Sequence, residues 1–476
     1  MEKIKKGDLI GEIEITDVAS EGMGIARREG FVIFIEHGIP GDVVDIEVFR
    51  NKKNFAEAKI LKLVTPSPFR ITPVCEHFGT CGGCKWQQMN YDQQKFRKQK
   101  HVEEVMKRIG KIESPPMFPI IGSQKTEFYR NRLDFTFSDK RWLTREEKAA
   151  GISPDENVVG FHVPQRFDKI LDIKKCFLQD DLSNRIRNEI KEFSIQHQFS
   201  FSDVVNQQGL LRNLVIRSTS TGEWMVILIL RHDESETINQ LLNHVAEKFP
   251  EITSLLYIIN PKRNDTFFDL DVHLFKGQDH ITEVMDVPGH REKKLKFKIS
   301  AKSFYQTNSD QAFELYKVVK SFAGLTGNEL VYDLYTGTGT IASFVSFDAK
   351  HVVGIDYIAD AIKDANENAK NNNIDNVSFF AGDIKDTLND QFISEHGIPG
   401  VIITDPPRSG MHEDVVKKMI EIAPERIVYV SCNPSTQARD IDLMREKYRV
   451  EKLQPVDMFP HTTHVENVAL LVKYVY

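Results

Sequence analysis

With 476 residues, 41% of them hydrophobic and 28% charged, the chain has material for roughly two to four cored domains. No stretch approaches the ~18 uninterrupted apolar residues of a membrane helix, and the start, MEKIKKGDLIGEIEI, lacks the apolar run of a secretory signal, so the expectation is a cytoplasmic protein. The net charge of −7 disfavours a uniformly basic binder but hides an asymmetry: residues 51–110 hold 12 Lys/Arg against 5 Asp/Glu, while 301–476 hold 17 against 25.

Residues 1–66 read as a small OB-like β-barrel. Short apolar runs (LIGEIEI, FVIFI, VVDIEVF, FAEAKILKLV) alternate with turn signals such as EGMG, REG and HGIPGD, a pattern suited to oligonucleotide binding. PSPFR closes this unit. Residues 67–300 read as an α+β domain: a cysteine-rich segment, a polar helix near 90–110, then strand-like YRNRLDFTF, LLRNLVIRS and EWMVILIL. The polar stretch 138–157 is expected on the surface. Residues 301–476 alternate strand and helix, with strands at ELVYDL, HVVGID, NVSFFAG, GVIITD, RIVYVSC and VALLVKYV, which predicts a doubly wound parallel, Rossmann-like α/β sheet.

Open sheets of this kind bind ligands beyond the carboxyl ends of their strands. Asp333, Asp356, Asp383, Asp405 and Cys432 all fall at such ends. Gly337 and Gly339 in DLYTGTGT allow a tight turn against a ligand, and Asp356 follows at a distance suited to ribose hydroxyls. GTGTIA also fits the G-x-G-x-x-A form of a dinucleotide site, so NAD is a rival. The acidic rim favours a cationic sulfonium over a pyrophosphate.

Cys432 in VYVSCNP stands at a strand end beyond the apolar run, as a nucleophile would; a small buried core residue is the competing reading. Glu466 in HTTHVENVALL, flanked by aliphatics, is a candidate base, with His461 and His464 as rivals. Cys75, Cys81 and Cys84 in CEHFGTCGGCKWQ, with Cys176 as the only spare thiol, suit either a 4Fe–4S cluster or structural zinc. His77 is expected to be a bystander. Phe304, Tyr305, Arg408, Arg130, Arg132 and Arg212 are candidates to hold a flipped base, and Lys95, Arg97, Lys98 and Lys100 candidates for phosphates.

SFYQTN (303–308), DLYTGTGT (333–340), DPPRSG (405–410), VSCNP (431–434 and the residue before) and HTTHVENVALL (461–471), in this order, resemble the RNA uracil-C5 methyltransferase family. The branch most similar is the bacterial 23S rRNA (uracil-5-)-methyltransferases with an N-terminal TRAM barrel and an iron–sulfur cluster. The resemblance spans essentially the whole chain. It implies Cys432 as nucleophile at uracil C6, Glu466 as base, and S-adenosylmethionine contacts from Gln306, Tyr335, Asp356, Asp383 and Asp405. It also implies a 4Fe–4S cluster on Cys75, Cys81, Cys84 and Cys176. A cofactor position often occupied by Asn is Thr340 here, and Asp356 stands where some relatives carry Glu. A monomer acting on 23S rRNA is expected, with tRNA as the rival substrate and a non-catalytic iron–sulfur RNA-binding protein as the rival class. Arg408 after Pro-Pro departs from amino-group methyltransferases, and the absence of a cysteine there departs from RNA cytosine-C5 enzymes.

Overall fold

The structure, a computed structural model, describes residues 4–164 and 166–474, apart from the side chains of Arg145 and Phe167. The N-terminal unit is a six-stranded sheet of β1 (Leu9–Glu14), β2 (Asp17–Val18), β3 (Gly24–Arg28), β4 (Phe31–Glu36), β5 (Val43–Asn51) and β6 (Phe55–Thr65), ordered β1-β5-β6-β4-β3-β2. β5 alternates buried and half-buried residues at period two, so Val44, Ile46 and Val48 join Ile33, Ile35, Ala56 and Ala58 in one core. The two shortest strands, β2 and β3, are those without an apolar run in the sequence.

The central sheet has seven strands: β7 (Arg132–Ser138), β8 (Val158–Val163), β9 (Arg166–Asp172), β10 (Leu211–Ser218), β11 (Trp224–Leu230), β12 (Ile252–Ile259) and β13 (His273–Gly277), ordered β13-β12-β11-β10-β7-β8-β9. β11 is buried along its whole length, which explains its unbroken apolar sequence, and β10 is buried along all but its last residue although it carries Arg212, Asn213 and Arg217. Helices Asp181–Gln196 and Ser235–Lys248 contribute to the core on one face. The hairpin β14 (His280–Asp286) and β15 (Lys294–Ser300) shares a core with residues of the other face and with the C-terminal domain.

The core runs across the division expected at residue 300, since Ile281, Leu295, Phe297 and Ile299 share it with Val215 and Ile227 of the central sheet and with Val331, Val401 and Val428. The helix Tyr91–Arg108 likewise belongs with the C-terminal sheet. Asn90 caps it by accepting the Gln93 N–H, and Gln94, Lys98, Val102, Val105 and Met106 form its buried face. Val102 and Met106 pack into the C-terminal core beside Ala438 and Leu453. Asp17 of the barrel accepts from Arg97 at 2.8 Å and Lys100 at 2.5 Å, which fastens the barrel to this helix.

The C-terminal sheet comprises β16 (Leu330–Leu334), β17 (His351–Asp356), β18 (Val377–Ala381), β19 (Val401–Thr404), β20 (Arg426–Ser431), β21 (Tyr448–Val456) and β22 (Glu466–Lys473), ordered β18-β17-β16-β19-β20-β22-β21. The first five are parallel, as expected. β22 inserts antiparallel between β20 and β21, so the sheet is mixed rather than wholly parallel. β21 was not legible as a strand: it is an edge strand with charged residues and Pro455, which only an edge tolerates. The order reverses between β16 and β19, opening a crevice beyond their carboxyl ends.

Candidate active site

The turn after β16 carries three positive φ angles, at Tyr335 (64°), Gly337 (55°) and Gly339 (73°). A Cβ on Gly339 would lie 2.7 Å from Phe379 Cζ, so glycine is required by both backbone and packing. Tyr335 adopts a conformation costly for a non-glycine residue. Asp333 holds the turn closed: one of its oxygens accepts from Thr336 Oγ1 at 2.6 Å and from the Ala342 N–H at 3.1 Å. Burial pushes its carboxyl up to about 7.

Asp356 accepts the Gly337 and Ile358 N–H groups, one on each oxygen at 2.9 Å. The remaining lone pairs are available to vicinal hydroxyls. Asp383 is exposed and caps a short helix by accepting the Lys385 N–H at 3.0 Å. Asp405 follows β19; burial first, then Asp333, pushes its carboxyl up to about 7. Thr340 is buried with its hydroxyl 3.3 Å from that of Thr338. Gln306 is half-buried and its carbonyl accepts from Asn131 of the central domain at 2.8 Å. This donor set, a ribose-accepting carboxylate beside an acidic floor and an open glycine turn, fits a nucleoside bearing a positive charge.

Cys432 follows β20 directly and Glu466 begins β22. Because Ser431 pairs with Asn467, the antiparallel register carries Cys432 and Glu466 onward to neighbouring positions. A parallel strand in that slot would have sent residue 466 to the opposite end of the sheet. Glu466 is 6% exposed, and burial, reinforced by Asp405, pushes its carboxyl up to about 8. The Cys432 thiol is pushed up to about 11 by burial, then by Glu466 and Asp405, with Arg408 acting in the opposite direction. The Arg408 carbonyl accepts from Asn433 Nδ2 at 3.0 Å, tying the 405–410 loop to the cysteine turn. Tyr316, buried on the helix Ser309–Ala323, lies within the field of Asp405, Asp333 and Glu466, and burial raises its phenol. No sequence motif marked it.

Both histidines near Glu466 are held neutral, pushed down to about 4 chiefly by burial. His461 is turned toward the helix Tyr91–Arg108, its Nδ1 lying 3.2 Å from Gln94 Nε2.

Several expected RNA contacts are corrected. Lys98 is fully buried and pairs with Asp457 at 2.6 Å, so it does not meet phosphate. The buried Arg212 donates to the carbonyls of Asn260 and Lys262, both at 2.6 Å. Tyr305 is 4% exposed and unavailable for stacking. Lys95 pairs with Asp92 and Arg132 with Asp134. Arg130 lies over the Phe459 ring at 5.2 Å. Phe304, 66% exposed, and Arg408 remain open to a ligand.

Cys75, Cys81, Cys84 and Cys176 line one cavity of about 360 Å³. Among the described residues no group of three or more His, Cys, Asp or Glu is arranged to hold a metal ion. Asn184 clamps Cys176, accepting its N–H at 2.8 Å and donating to its carbonyl at 3.0 Å. The Gly83 N–H points at Cys81 Sγ, 3.5 Å away. His77 Nε2 accepts the Lys174 N–H at 3.1 Å, so it serves the loop.

Comparison with known proteins agrees with this geometry. Residues 218–474 match the family described as tRNA (uracil-5-)-methyltransferase, and residues 10–61 match the TRAM domain. An uncharacterized RNA methyltransferase from Bacteroides thetaiotaomicron is 57% identical over 95% of this chain and 99% of its own length. One from Chlorobaculum tepidum is 36% identical over 98% and 97%. The solved tRNA (uracil-54, C5)-methyltransferase of Pyrococcus abyssi, in complex with S-adenosyl-L-homocysteine, is 28% identical with a TM-score of 0.73, covering 96% of this chain and 99% of that one. The chain therefore belongs to the RNA (uracil-5-)-methyltransferase family and is an S-adenosylmethionine-dependent enzyme.

Proposed function

We propose that the chain methylates C5 of a uridine in 23S rRNA, acting as a monomer in the cytoplasm, with Cys432 as covalent nucleophile and Glu466 as base. Uracil C5 is a poor nucleophile. Addition of the Cys432 thiolate to C6 saturates the ring bond and makes C5 an enolate carbon. S-adenosylmethionine, when bound, supplies the methyl group and a sulfonium charge that offsets the repulsion among the carboxylates. Glu466 then takes the C5 proton, the electron pair restores the C5–C6 double bond, and the C6–S bond breaks. Gln306, Tyr335, Gly337, Thr340, Asp356, Asp383 and Asp405 form the cofactor's surroundings in this reading.

The observation that carries it is the register that makes Cys432 and Glu466 neighbours beyond the rim of β20 and β22. The elevated carboxyl of Glu466 suits a group that accepts and returns a proton near neutrality. The test uses RNA carrying 5-fluorouridine, which cannot lose a proton from C5. A covalent protein–RNA adduct that requires both Cys432 and the cofactor is expected; no adduct with active cofactor present would refute the mechanism and favour a binding protein.

The four cysteines are assigned to a 4Fe–4S cluster. Four cysteine thiols lining one cavity match the ligand count of such a cluster, and structural zinc, which takes the same four thiolates, is the alternative that metal analysis separates. The cluster's role is to pin the 75–84 loop to the segment at Cys176. A tRNA substrate is the second reading, favoured by the likeness to the Pyrococcus abyssi enzyme. Mapping 5-methyluridine in rRNA and tRNA from a deletion strain separates the two.

A further inference from the structure

The loop joining β21 to β22, residues 457–465, delivers Glu466 and is gripped from several sides. Asp457 has no exposed surface and pairs with the equally buried Lys98 at 2.6 Å. Its other oxygen accepts the Tyr91 hydroxyl at 3.0 Å. The Lys98 ammonium also donates to the Phe459 carbonyl at 3.0 Å, and the Phe459 N–H donates back to Asp457 at 3.0 Å. Gln94, fully buried, accepts the His461 N–H at 2.8 Å. All three anchors, Tyr91, Gln94 and Lys98, stand on one face of a single helix.

Other parts of the chain close the grip. The Lys85 and Trp86 N–H groups, directly after Cys84, donate to the His461 carbonyl at 2.7 and 3.0 Å. The Tyr129 hydroxyl donates to Pro460 at 2.9 Å, Asn308 to Met458 at 2.9 Å and Gln311 to Asp457 at 2.8 Å. His461 itself is held at φ 66°. A buried ion pair is a poor way to gain stability, since apolar residues of equal volume do as well or better. What it supplies here is one defined path for the six residues between Phe459 and Glu466.

We propose that the Lys98–Asp457 pair is a positioning device for the base: it fixes loop 457–465 so that the Glu466 carboxylate is held against the C5 proton of the methylated adduct. Cys432 is supported separately, by β20 and the Arg408–Asn433 bond. Loss of the pair therefore slows release of the adduct more than its formation. The inference rests on Glu466 being the base.

The test is a quenched time course with methyl-labelled S-adenosylmethionine and uridine RNA, resolving covalent methylated adduct from free 5-methyluridine product. Lys98→Met alone leaves Asp457 buried without its partner and endangers folding. The double variant Lys98→Met/Asp457→Leu keeps the site filled while removing the hydrogen bonds to Phe459. It is expected to form adduct within about threefold of the parent rate and to release product at least about tenfold more slowly, so adduct accumulates. Unchanged release, or adduct formation and release falling by the same factor, would overturn the proposal by showing a purely structural pair. Glu466→Gln is run in parallel. If it accumulates adduct while the double variant does not, only the positioning role fails; if it turns over normally, the base assignment fails and this inference with it.

Discussion

Replacing Glu466 by glutamine should make the folded protein more stable, increasingly so at higher pH. In the folded state the carboxyl is pushed from 4.5 up to about 8, by burial first and by Asp405 second. Between those values the native protein keeps a proton that the unfolded chain has released. Stability therefore falls as pH rises from 4.5 and levels off above about 8. At about 1.4 kcal/mol for each tenfold difference in proton affinity, that interval corresponds to about 5 kcal/mol at the alkaline limit. Glutamine has no such slope. Asp405, pushed to about 7, contributes its own decline to both proteins and drops out of the difference to first order. Urea unfolding of parent and variant without cofactor, at intervals from about pH 5 to about pH 9, should show the variant gaining roughly 3–5 kcal/mol on the parent. Any constant offset from burying the amide does not alter that slope. A difference flat with pH would mean that Glu466 is ionised and solvated in the folded protein, and the argument for an elevated base would fail.

Cys432→Ala should abolish methylation while leaving RNA affinity within about threefold of the parent, since the side chain makes a bond in catalysis and little else; joint loss in a filter-binding assay would make it structural. Gly339→Ala places a Cβ 2.7 Å from Phe379 at φ 73°. It should cost about 1–3 kcal/mol in denaturant unfolding and weaken cofactor binding measured by calorimetry. Protein purified without air should carry about four irons per chain and a broad visible absorbance, both lost in Cys176→Ser; stoichiometric zinc without iron would reverse the assignment.

Much of the fold was written locally. Period-two alternation in VVDIEVF, the unbroken apolar run in β11, and strand–helix alternation after residue 301 reflect how each segment must bury itself, whatever its distant partners. The strand-end positions of Asp356, Asp405 and Cys432 followed from the same logic. Charge was read less well. Lys95, Arg97, Lys98 and Lys100 form one basic cluster in sequence, yet Lys98 is buried against Asp457 while Arg97 and Lys100 hold the barrel through Asp17. What the chain alone determined is the period of each element and the chemical groups at its ends. Only the tertiary structure decided that β22 runs antiparallel beside β20, that the helix at 91–108 serves the C-terminal domain, and that four cysteines surround one cavity. Periodicity is a property of neighbours along the backbone, whereas the direction of β22 depends on a strand some 36 or more positions away and the partner of the buried Lys98 lies 359 positions away.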